Sequence, residues 1–262
     1  MNQILNSNRL MNLARRDLIN GWRGTAIASG VVSGAIFVIA FLGALFEGQR
    51  TIDYNAFFTG TMLIWGTIAA SLAFDELHDK EKNDAYLLLP ASTVEKTLIS
   101  LFSVSVMLPL LILILITAAS LVTEGVTALV FRLPYSPFNP LFGDNWSLIG
   151  KVIIVQSIFF LGASWFKKAH WIKTVLTVIV GSIVMGILAS IIFRILFGSY
   201  FEGFFTPKSV NIDFESLMRM RFPRFMDILS TLGKTALYGL LAPFCWFVAW
   251  LRVKETQSSD GV

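Results

Sequence analysis

Six apolar runs, each close to the length that crosses a bilayer, constrain this chain more than any other feature. A helix needs about 20 mostly apolar residues to span the hydrocarbon core. Runs near that length lie at about 25–46, 56–74, 98–122, 147–166, 174–197 and 232–251. In lipid each backbone N–H and C=O has to find its partner within the segment, so such runs fold as helices. The composition agrees: 55% of the 262 residues are apolar and 15% are charged, against about 25% charged in soluble domains. The expected fold is an all-α integral membrane protein with six transmembrane helices. The fourth run is the weakest, because Lys151 and Gln156 fall inside it. Pro109 and Pro243 lie within runs and should kink their helices locally.

Residues 1–24 precede the first run. Leu10, Met11, Ala14, Leu18 and Trp22 recur at helical spacing among Arg9, Arg15, Arg16 and Arg23. This pattern predicts an amphipathic helix lying in the membrane interface; a plain cytoplasmic tail is the simpler alternative. The stretch is too long and mixed for the n-region of a cleaved signal peptide, so the first run reads as an uncleaved anchor. With the N-terminus inside, twelve of the Lys and Arg residues fall on cytoplasmic segments and eight on the opposite side, with Arg194 within the fifth run. That bias predicts both termini in the cytoplasm. It also accounts for the net charge of +4, so nucleic acid is not an expected partner. The six-helix domain is expected to cover 25–252. An outer loop would lie at 123–146, a longer one at 198–231, and a disordered polar tail at 253–262.

Between the second and third runs stands Asp75–Lys96, DELHDKEKNDAYLLLPASTVEK. Its acids are Asp75, Glu76, Asp79, Glu81, Asp84 and Glu95, mixed with Lys80, Lys82 and Lys96. An apolar knob, Tyr86-Leu87-Leu88-Leu89, precedes Pro90. Ser92-Thr-Val-Glu95 then reads as a capping box, with Ser92 or Thr93 as N-cap and Glu95 reaching back. A charged segment thus leaves the membrane, presents an apolar tip and re-enters as a new helix. Exposed apolar triplets usually find a partner or the membrane, although an ordinary solvated loop remains the alternative. The segment Lys167–Lys173, KKAHWIK, is a second, shorter basic turn.

Sites of chemistry are sparse. His78 and His170, the only histidines, are far apart in the sequence and read as surface or interface residues. No HExxH or GxSxG motif occurs. Gly233-Lys-Thr235 matches the end of a phosphate-binding loop, but Ile228 stands where its first glycine belongs. Asp75 and Asp79 could share a helix face, as Mg²⁺-diphosphate sites do; the lysines among them point instead to a solvated helix. No catalytic residue and no metal site are expected. The lone Cys245 lies in an apolar run and reads as a packed thiol.

The amphipathic N-terminus, six runs, elaborate segment after the second, short turn after the fourth and larger loop before the sixth resemble the ABC-2 type permeases of bacterial ATP-binding-cassette transporters, the type V exporter-like group. FDELHDKEKNDAYLLLPASTVEK looks particularly like the corresponding region of those proteins. The resemblance implies a coupling helix over 76–89, with Glu76, Asp79, Glu81, Tyr86, Leu87, Leu88 and Leu89 docking on a separate ATPase subunit. Lys168 and His170 would belong to a second contact. It implies two copies, or this chain with a related permease, meeting along spans one and five; Gly30 and Gly34 give a small-xxx-small pair there. ATP and Mg²⁺ would be bound by the partner, with no cofactor in this chain, which is then not an enzyme. The implied location is the bacterial cytoplasmic membrane, in contact with its lipids. The expected function is permease for a substrate, lipid-like or amphiphilic by the character of the spans. A non-transporting membrane scaffold or assembly factor is the alternative.

Overall fold

The computed structural model of the chain describes residues 7–47, 52–78, 91–196 and 223–259. Among them every regular element is helical. Six rods are long and apolar enough to cross a membrane: Asn8–Phe46, Tyr54–His78, Thr93–Phe131, Gly143–Trp165, His170–Ile192 and Thr231–Thr256. Each apolar run of the sequence has its counterpart here.

Helix α1 (Ser7–Glu47) is a continuous rod of 41 residues. At 1.5 Å per residue that is about 60 Å, twice the about 30 Å of a hydrocarbon core. The boundary expected at residue 24 is therefore not a break in the helix. Gly21 and Gly24 lie inside the rod in open space, and no proline interrupts it. Helix α2 (Tyr54–Ser71) starts at Asp53, whose Oδ1 accepts the N–H groups of Asn55 and Ala56, satisfying two of the donors a helix start leaves over. One turn, α3 (Asp75–His78), follows. Helix α4 (Thr93–Phe102) opens with the predicted capping box: Glu95 N–H donates to Ser92 Oγ, and Ser92 N–H donates to Glu95 Oε2.

Helix α5 (Leu108–Phe131) continues α4 through a π-turn at Ser103–Met107. Then come α6 (Gly143–Trp165), α7 (His170–Leu196) and α8 (Pro223–Thr235). A second π-turn, Ala236–Leu240, leads into α9 (Leu241–Ser259). Each π-turn contains the residue four before a proline, Ser105 for Pro109 and Gly239 for Pro243. A proline offers no N–H to that carbonyl and its ring collides with it in a regular helix; a widened turn relieves both. The prolines thus act as the sequence suggests, by a local change of helical pitch.

Several boundaries move. The third rod runs on to Phe131 and ends at Arg132, whose φ of 59° is left-handed. The loop read as 123–146 is therefore a strap at 132–142. The tail read as disordered from 253 is helical to Ser259. The reason is packing: Val253 is fully buried beside Phe74, Leu77 and Ala163, and Arg252 pairs with Glu255 one turn on. Of the long loop expected at 198–231, residues 198–222 lie outside the described residues.

Helix α6 is the hub. It packs on α2, α7 and α9, while α1 packs on α5. Half of its most apolar stretch is buried, whereas none of that of span five is. Lys151 is exposed near the start of α6, and Gln156 is turned fully inward. One core, around Ile36, Phe58, Met62, Ile112, Ile116 and Val152, joins α1, α2, α5 and α6. A smaller one, around Phe74, Leu77, Phe160, Ala163, Ala249 and Val253, lies toward the end where α2 and α6 finish.

Candidate docking face at the α3 end

Helix α3 is a single turn, too short to be stable alone. Four neighbours hold it. Its apolar side, with Phe74 just before it and Leu77 within it, is buried. The Phe74 ring meets Phe160 of α6 edge-on at 4.8 Å between centroids, and Ala249 and Val253 of α9 complete the cluster. On its polar side Arg16 Nη2 of α1 donates to Glu76 Oε2 at 2.8 Å. His78 Nε2 lies 3.0 Å from the Ala163 carbonyl oxygen of α6. An acceptor at that distance places the ring proton on Nε2.

The turn at 166–169 closes the site from the other side. Ala169 adopts φ 53°, a left-handed conformation unusual for a residue with a Cβ, and α7 starts one residue later. His170 is buried, its ring stacked on His78 at 5.4 Å with 24° between planes. Asp75 Oδ1 is 3.8 Å from His170 Nε2. Trp171 Nε1–H donates to Thr67 Oγ1 of α2 at 3.2 Å. A Cβ on Gly162 would collide with Thr174, so α6 and α7 meet in close contact there. Lys167 and Lys168 are exposed on the turn. At the start of α4, Glu95 and Lys96 are buried.

Of the residues singled out from sequence, Glu76, Lys168 and His170 are therefore at one end of the bundle, on elements held together by Asp75 and His78. Lys168 faces outward, whereas His170 is turned in against α3. Asp79, Glu81, Tyr86, Leu87, Leu88 and Leu89 lie outside the described residues. Gly30 and Gly34 lie on the exposed side of α1, with nothing within 4 Å of where a Cβ would stand.

At the opposite end of the bundle the structure holds a group that sequence reading passed over. Glu124, buried in α5, accepts the Tyr54 hydroxyl at 2.8 Å and the Ser136 N–H at 3.2 Å. Ser120 Oγ accepts the Phe138 N–H at 3.1 Å. These bonds fasten the strap to α2 and α5. Beside it is a cavity of about 410 Å³ lined by Asp53, Tyr54, Ser136 and Phe138 among others. The only signal was a carboxylate close to the end of an apolar run, where a charged residue reads as the edge of a span.

Among the described residues no group of three or more His, Cys, Asp or Glu side chains is placed to hold a metal ion. Cys245 is a buried free thiol. No protein-family description, characterised protein or solved structure matches the chain.

Proposed function

We propose that this chain is the permease subunit of a bacterial ABC transporter of the ABC-2 type. In this reading it works in the cytoplasmic membrane, with both termini inside and the α3 end facing the cytoplasm. One observation carries the proposal: α3, the first turn of the segment after span two, contacts spans one, four, five and six through Arg16, Ala163, His170 and Val253. A force applied to this segment reaches four spans. An ATP-driven partner needs such a lever, and a charged segment with an apolar Tyr86–Leu89 tip has the chemistry to seat in a partner groove.

ATP and Mg²⁺ belong to the separate ATPase subunit, and this chain performs no catalysis. Two copies, or this chain with a related permease, enclose the route for an amphiphilic or lipid-like substrate. The bare surface of span five supports an assembly of that kind, as do the open surroundings of Gly30 and Gly34.

The test is co-purification followed by identification of the partner chain. An ATPase subunit should be recovered with the wild-type protein. It should be lost when Leu87→Asp and Leu88→Asp are combined, since burying a leucine is worth about 1.5–3 kcal/mol. The double variant should still insert and assemble. A cysteine at Lys168 should react from the cytoplasmic side and one at Asn139 from outside. Recovery of the chain without any ATPase, or labelling of Lys168→Cys from outside, would replace this reading with that of a scaffold or assembly factor.

A further inference from the structure

We propose that His78 and His170 form a proton-sensitive clasp, which fastens α3 to the start of α7 while the rings are neutral and lets go when both are charged. The clasp stands on geometry alone and is independent of the transport reading.

The chain has two histidines, on elements far apart in sequence, and the fold stacks them. The rings are 5.4 Å apart and within 24° of parallel, an arrangement suited to neutral aromatic rings. His78 donates to the Ala163 carbonyl, which a neutral ring does with one nitrogen while the other stays unprotonated. Imidazole is also the side chain whose charge changes between about pH 5 and 8.

The surroundings decide what a proton does. On α3, Asp75 is the acid facing the pair, 3.8 Å from His170, while Glu76 is engaged by Arg16 of α1. Lys167 and Lys173 bring positive charge from the turn and from α7. Farther out, Asp17 and Lys96 sit near Arg16. On α9, Arg252 lies over the Trp165 ring at 5.0 Å and pairs with Glu255. Asp75 favours a first proton on His170, and the burial of that ring opposes it. A second places two imidazolium rings face to face, where the described residues bring two lysines and one carboxylate. Like charges at such range disfavour the doubly charged form. The contact that relieves them most simply is the stack itself, because α3 is one turn long and its neighbour is a four-residue turn. The two rings then titrate as a coupled pair.

Amide hydrogen exchange on the full-length protein in detergent tests this at about pH 8 and about pH 5, either side of the ordinary imidazole value of about 6.5. After correction for intrinsic exchange, peptides covering 72–78 and 166–173 should lose protection about tenfold or more at the lower pH, a change of about 1.36 kcal/mol. The strap at 132–142 should be unchanged. Combining His78→Gln with His170→Gln keeps a donor for Ala163 and removes the titrating rings, so protection should be equal at both pH values. Wild-type protection that ignores pH, or an equal loss in the double variant, overturns the clasp. Should the double variant misfold, NMR of ring-labelled histidine in the wild-type protein decides, because the chain gives two ring signals. Signals that each sense the other's titration support the clasp, and two independent single-step titrations refute it.

Discussion

Gly162 and Thr174 hold α6 and α7 together at a distance that only a glycine permits. A Cβ at 162 would meet the threonine Oγ1, Cγ2 and Cβ. Threonine is branched next to its backbone and stiff at χ1, so it has little room to yield. Gly66 faces a superficially similar obstacle in the Gln156 amide, but that amide is the far end of a long side chain. Gly162→Ala is therefore expected to destabilise by about 1–3 kcal/mol, the usual range for overpacking, and Gly66→Ala by clearly less. Thermal unfolding of the two variants in detergent makes the comparison. Equal stabilities would mean that α7 is free to shift away from α6.

Arg16 and Glu76 carry the link between α1 and α3. Both side chains are about one third exposed, 30% and 34%, so the pair falls near the exposed class worth about 0.2–1 kcal/mol. Glu76→Arg should destabilise by more than Glu76→Gln, because it sets a second guanidinium against Arg16. Exchanging both residues should recover most of that loss, and raising the salt concentration should shrink all three effects. A double-mutant cycle on unfolding reads the coupling. A swapped variant no better than the sum of its single changes would show that the ion pair adds nothing to the hold of Phe74, Leu77 and His78 on α3.

The same residues explain how far the sequence could be read. The spans were legible because apolar length is a local property, and the capping box at Ser92 and Glu95 because its two partners are three positions apart. Gln156 made the fourth run look doubtful, yet it sits fully buried against Gly66 in the most buried span; a single sequence position does not tell which face a polar residue takes. His78 and His170 read as separate surface residues, and their stacking depends on α2, α6 and α7 coming together. Val253 looked like the start of a polar tail, since its burial depends on Phe74 and Leu77 far up the chain. The local signals gave the helices, and the pairings between them needed the fold.

Glu124 shows the same limit most sharply, and it yields the last prediction. Its partners Tyr54 and Ser136 are 70 and 12 positions away, so nothing around it in sequence marks it as a fastening point. Its carboxylate receives the Tyr54 hydroxyl on one oxygen and the Ser136 N–H on the other. Glu124→Ala removes the acceptor from both donors. Each buried polar group left unsatisfied costs about 1–3 kcal/mol. Glu124→Gln keeps one acceptor oxygen and replaces the other with an amide donor that faces a donor, so it should lose less. Tyr54→Phe removes a single donor and leaves the Ser136 bond intact, so its loss should be the smallest. The strap itself gives a second measure. A cysteine at Ser136, labelled with a membrane-impermeant maleimide, should react fastest alongside Glu124→Ala, more slowly with Glu124→Gln and slowest with Tyr54→Phe. The native thiol, Cys245, is buried and should not obscure the signal. Labelling at one rate in all three backgrounds would mean that the Ser120–Phe138 bond holds the strap without Glu124.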